Sequence, residues 1–148
     1  MAGLDAGLIY NEFPWMGESL APPRKELFRI EPLWRNFFEN ASLVQFDHRL
    51  LGASTYTVVM AMFLTSACSR WKEAIPLATR RALQLTALAA NIQVLLGIST
   101  LLYLVPVELA TCHQAGSVLL LTALLAMGVT MRRTNVGHLR SAMGRNLK

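Results

Sequence analysis

The chain has 148 residues, 53% apolar and 16% charged, with a net charge of +5. Asp, Glu, Lys and Arg are absent from Leu50 to Ser69, from Ala82 to Val107 and from Leu109 to Met131. Each stretch is long enough to cross about 30 Å of hydrocarbon and offers no polar stripe, which excludes an ordinary soluble bundle. The reading is an all-α integral membrane protein with three transmembrane helices and lipid around it. The basic residues gather in the loops, where they signal topology and not nucleic-acid binding.

In chain order, Met1 to Pro23 is punctuated by Gly and Pro and reads as loop. Its first ten residues carry no basic region and no apolar core, so they are neither a signal peptide nor a transit peptide. Pro32 to Asn40 (PLWRNFFEN) predicts a short helix with Pro32 in the first turn. Leu33, Trp34, Phe37 and Phe38 would lie on one side, either along the membrane interface or against the bundle from above. Asn40-Ala41-Ser42 matches a glycosylation sequon, a weak pattern.

Ser42 to Gln45 has the form of a capping box that starts the first span near Leu43. The predicted spans are residues 43–69, 81–104 and 107–131, with Pro106 opening the third, followed by a basic tail over 132–148. Arg70, Lys72, Arg80 and Arg81 face a single Glu73 in the first loop, and Arg132, Arg133, Arg140, Arg145 and Lys148 stand in the tail. The leading segment to Asp47 holds seven acids against four basic residues. The basic side therefore faces the cytoplasm or matrix and the leading segment the opposite side. Exporting that segment without a signal sequence leads to the expectation of further helices upstream. Cys68 and Cys112 fall at opposite ends of their spans, too far apart for a disulfide, and read as small buried apolar residues.

The first and third spans run in the same direction, and each carries one histidine about two turns below its outer end, His48 and His113. Ionisable residues in a membrane bundle are functional candidates; the alternative is a histidine hydrogen-bonded to a neighbouring helix. Zinc asks for about four ligands, whereas a haem iron asks the protein for only two. Gly52 and Gly116 follow the histidines by four and three residues and share their faces. They either clear room for a flat ring or serve close helix packing. Arg49 could meet haem propionates, or be a solvated charge at a helix end. Gln84, Asn91 and Gln93 on the second span suit interhelical hydrogen bonds. His138 lies in the polar tail and reads as solvated.

The ordered motifs AGLDAGLIYNEFPWMGE, FFEN, QFDHRLLG and LGISTLLYLVPVELATCHQAGS resemble the C-terminal half of haem A synthase, over residues 2 to about 125. The mitochondrial and alphaproteobacterial branch of that family is the most similar. The resemblance implies one truncated half of an eight-helix bundle made of two four-helix repeats. It implies oxidation of the C8 methyl of haem O to a formyl group, giving haem A for cytochrome c oxidase assembly. The family's C-terminal histidine pair ligates a haem b; by motif this pair is His48 and His113. It further implies a ferredoxin-type electron donor and a multi-pass place in the mitochondrial inner membrane or a bacterial plasma membrane. The leading segment would then face the intermembrane space or periplasm.

The substrate half, with its own histidine pair and glutamate, has no counterpart here, and Gln45 stands where that half has its glutamate. A neutral amide cannot act as a carboxylate base, so no catalytic residue is assigned to this chain. Three helices leave one wall of a haem site open, which a homo-oligomer could close. The alternative function is a non-catalytic three-span assembly protein or an electron-transfer haem protein.

Overall fold

The computed structural model describes residues 4–68 and 75–145, with side chains to residue 132. Helices α1 (Arg24–Leu27) and α2 (Asn36–Glu39) belong to the leading segment; α3 (Ala41–Ala67), α4 (Leu77–Leu102) and α5 (Val107–Arg145) follow. No strand occurs among the described residues. Three helices are long and apolar enough to cross a membrane: Ala41–Ala67, Leu77–Leu102 and Val107–Arg132. Only 6% to 17% of their most apolar windows is buried, so most of that surface is left for lipid.

The first long helix does not start at the predicted capping box. Asn40, in extended conformation, caps α3 by accepting from Ser42 N at 3.2 Å. Ser42 and Gln45 are engaged elsewhere: Ser42 Oγ donates to Glu26 at 2.6 Å, and Gln45 pairs with the backbone of Tyr10. The predicted helix over 32–40 is also shorter. Pro32 caps a 3-10 turn, Leu33–Arg35, and only Asn36–Glu39 is α-helical. Asn36 holds this corner by donating to Ile30 O and Leu33 O while its own oxygen accepts from Ile30 N.

Helix α4 begins after Pro76, so Arg80 and Arg81 lie in its opening turns and not before it. The basic stretch after residue 131 continues α5 to Arg145 instead of ending it. Arginine is a good helix former; it marks a membrane boundary without stopping the helix. The loop charges Arg70, Lys72 and Glu73, and the side chain of His138, lie outside the described residues.

Helix α4 is the central span and packs against both α3 and α5, whereas α3 and α5 scarcely touch. The core is small: Val59 of α3 meets Ala87 and Ala90 of α4, flanked by Tyr56, Met60, Phe63, Leu120 and Leu124. The small residues on α4 let the backbones approach. This packing lies in the half of α3 nearer Ala67. Nearer its N-terminus, residues 50 to 55 of α3 are all exposed. The cysteines depart from expectation: Cys68 and Cys112 are both exposed. In a span, an apolar side chain can face lipid as readily as the core.

Candidate haem-ligand site at the outer end of the bundle

The leading segment is fastened onto the N-terminal end of α3 by the motif that carries His48. Gln45 is almost fully buried at 1% exposure. Its amide brackets Tyr10, accepting from Tyr10 N at 3.2 Å and donating to Tyr10 O at 2.8 Å. One turn on, Arg49 donates to the carbonyls of Tyr10, Glu12, Pro14 and Trp15 at 2.9 to 3.4 Å. Arg49 therefore staples a loop; its guanidinium is committed to backbone oxygens and is not a free solvated charge.

A second anchor lies beside it. Glu26 accepts from Tyr10 OH at 2.8 Å and from Ser42 Oγ at 2.6 Å. These hydroxyls, that of Ser42 foremost, hold the Glu26 carboxyl below the ordinary glutamate range against the opposing effect of burial. Burial, and then the neighbouring Glu26, push the Tyr10 phenol up. Asn40, fully buried, donates to Glu26 O and Leu27 O at 2.7 and 3.0 Å. Asn11 bridges to the far end of α4, donating to Leu101 O at 3.1 Å, and the turn after α4 runs through left-handed Leu104 and Val105. The side chain of Val105 rests on Gly7, where a Cβ would lie 2.9 Å from it.

Beside Gln45 and Arg49, which are turned to the loop, His48 reaches towards α5. Its ring faces that of His113, with centroids 6.1 Å apart and planes at 76°. Two imidazoles sharing one metal ion, each nitrogen at about 2 Å from it, place their ring centres roughly 6 Å apart. His48 is exposed and His113 half-buried, so the pair stands at the mouth of an open-sided slot. His113 Nδ1 is buried without a hydrogen-bond partner. Among the described residues no group of three or more His, Cys, Asp and Glu comes together, so the two rings face each other without a third such ligand.

The two glycines singled out by spacing behave differently. Gly52 is exposed, with no atom within 4 Å of an added Cβ. Gly116 is filled: a Cβ there would collide with Gln93 Oε1. It serves contact between α4 and α5, and no ring could lie over it. Gly97 was not singled out, yet the His113 ring rests on it, with Cε1 only 2.9 Å from where a Cβ would stand. Gln93 makes the expected interhelical bond, donating to His113 O at 2.9 Å. Asn91 does the same with Tyr56, whose hydroxyl donates to it at 3.1 Å. Tyr56 lies two turns below His48, on the same side of α3 as Gly52.

The family model described as cytochrome oxidase assembly protein matches residues 1–125. The chain belongs to this family. Heme A synthase COX15 of Bos taurus is 48% identical over 135 residues, covering 90% of this chain and 31% of the relative. Heme A synthase of Nitrosospira multiformis is 45% identical over 135 residues, covering 90% and 36%. The heme A synthase-mitochondrial ferredoxin fusion protein of Schizosaccharomyces pombe is 41% identical over 137 residues, covering 86% and 22%. The chain thus spans about a third of the length of the first two relatives. No solved structure matches.

Proposed function

We propose that this chain carries a bis-histidine haem b site of a haem A synthase and acts in forming haem A for cytochrome c oxidase. The observation that carries the reading is the facing His48 and His113 pair, 6.1 Å apart at the outer end of the family's membrane bundle. A haem held there supplies one-electron transfer towards the oxidation of the haem O methyl group to formyl. The substrate haem O and product haem A would be handled by parts of the enzyme beyond these residues.

The protein's own contribution is placement. His48 and His113 would hold the haem iron through their ring nitrogens. Gly97 seats the His113 ring, and Gly52 leaves room beside His48. Arg49 and Gln45 hold the Tyr10 to Trp15 loop against the N-terminal end of α3 beside His48. With Arg49 engaged by carbonyls, propionates at this mouth would meet the loop backbone and the outer solvent. The exposed Leu33, Trp34, Phe37 and Phe38 seat the leading segment in the outer headgroup layer. The basic residues flanking the spans support a C-terminus on the matrix or bacterial cytoplasmic side, in the mitochondrial inner membrane or a bacterial plasma membrane. A ferredoxin-type protein is the electron donor; the fused ferredoxin of the Schizosaccharomyces pombe relative supports it. The open wall between α3 and α5 is closed by further helices or by a second copy.

The test is a reduced-minus-oxidised spectrum of membranes containing the chain. A sharp low-spin b-type signal is expected, lost in His48→Ala and in His113→Ala. A correctly inserted parent without haem would overturn the proposal.

A further inference from the structure

Two buried side-chain atoms lack a hydrogen-bond partner among the described residues, Gln93 Oε1 and His113 Nδ1. Buried orphans are uncommon, and each asks for a cause. These two are chemically complementary. An amide oxygen only accepts, while Nδ1 of a neutral imidazole donates whenever Nε2 carries the free lone pair. They also belong to one contact, because Gln93 Nε2 already donates to the His113 carbonyl at 2.9 Å. Two glycines clear the surroundings: a Cβ on Gly116 would collide with Gln93 Oε1, and one on Gly97 would stand 2.9 Å from the His113 ring. Gln93 and Gly97 are four residues apart and so share one face of α4.

We infer that Gln93 is the positioning residue of His113: its carboxamide oxygen accepts the Nδ1–H of the ring and so fixes the tautomer whose Nε2 is free to bind iron. The inference rests on the haem reading above. A ligating histidine commonly donates its second N–H to an acceptor, which sets the ring orientation and raises the basicity of the ligand. An Nδ1–H left bare in apolar surroundings would instead carry its whole desolvation cost. Rotation about the soft terminal torsion of Gln93 and those before it carries Oε1 away from Gly116 towards the ring.

The test uses the full chain in membranes with haem bound, comparing the parent with Gln93→Met, Gln93→Glu and Gly116→Ala. The readout is the midpoint potential of the haem, with the ferric EPR spectrum beside it. Gln93→Met keeps the volume and removes the acceptor; His113 becomes a weaker donor and the potential shifts upward. Gly116→Ala fills only the space that Oε1 leaves on turning to the ring, so it keeps the hydrogen bond and holds the potential at that of the parent. Gln93→Glu supplies a stronger acceptor and shifts the potential downward. A potential unchanged in Gln93→Met, or shifted upward in Gly116→Ala, at full haem occupancy, overturns the inference and leaves the haem site standing. A parent chain that takes up no haem overturns the haem reading and this inference with it. Should Gln93→Met fail to insert, Gln93→Glu carries the comparison: a potential below that of the parent supports the inference and an unchanged one overturns it.

Discussion

Replacing Gly97 with alanine puts one methyl group 2.9 Å from Cε1 of His113 and 3.5 Å from both ring nitrogens. A carbon–carbon contact relaxes at roughly 3.5–4.0 Å, so the ring must retreat by about half an ångström or more. It cannot do so freely, because its own helix is tied to α4 by the bond from Gln93 to the His113 carbonyl. Overpacking of this kind costs about 1–3 kcal/mol, equivalent to about 5- to 150-fold in an equilibrium constant. The displacement also exceeds the roughly 0.2 Å tolerance of a metal–ligand bond. The cost should therefore appear as lost haem retention. The assay is haem per inserted chain after detergent washing, measured from the reduced spectrum, with Gly128→Ala as control because nothing lies within 4 Å of its Cβ. Parental haem content in Gly97→Ala would refute the assigned seat of the His113 ring.

Gly52→Leu should leave the apo chain as stable as the parent or slightly more so, since nothing lies within 4 Å of an added Cβ and leucine is the better helix former. Haem uptake should nevertheless fall several-fold, and unchanged uptake would show that the slot beside His48 is not used. Arg49→Ala removes charge-assisted bonds to four carbonyls; discounted for solvent exposure, the loss is about 1–2 kcal/mol. Amide exchange of the Tyr10 to Trp15 loop should then rise about 5- to 30-fold, and Arg49→Lys should not restore protection because it lacks the planar fork. The Glu26 carboxyl is held low by Ser42 and Tyr10. Its contribution to docking is full above the ordinary glutamate value of about 4.3 and is lost as pH falls through the depressed folded value. Acid titration of loop exchange should show that loss, starting from weaker protection and shifted to higher pH in Ser42→Ala; identical profiles would remove Glu26 from the anchor.

Uncharged runs made the three spans legible, because a charge in hydrocarbon is costly enough to write itself into composition. The facing of His48 and His113 was legible for a related reason: helices running the same way, entered at matched depth, bring residues two turns down to one level. Contacts decided by sequence-distant partners were not. Ser42 looks like a cap until Glu26, sixteen residues earlier, takes its hydroxyl. Arg49 looks available until the loop 34 to 39 residues earlier folds back under it. Gly97 escaped notice because its role depends on how α4 is rotated against α5, which no periodicity within α4 encodes. Gly116 and Gly52 have equivalent spacing from their histidines, yet only the neighbour across the interface, Gln93 or open space, tells them apart. The extent of α5 was misread because basic residues mark where lipid ends, and the helix has no reason to stop there.

The most direct test of the central claim is the EPR spectrum of the oxidised chain with haem bound. The His48 and His113 ring planes stand at 76°; rings that kept this angle on binding haem would give a strongly anisotropic low-spin ferric signal of the kind given by near-perpendicular histidine ligands, absent in both His48→Ala and His113→Ala. A high-spin signal, or a low-spin signal that survives either substitution, would contradict the assignment of His48 and His113 as the two ligands.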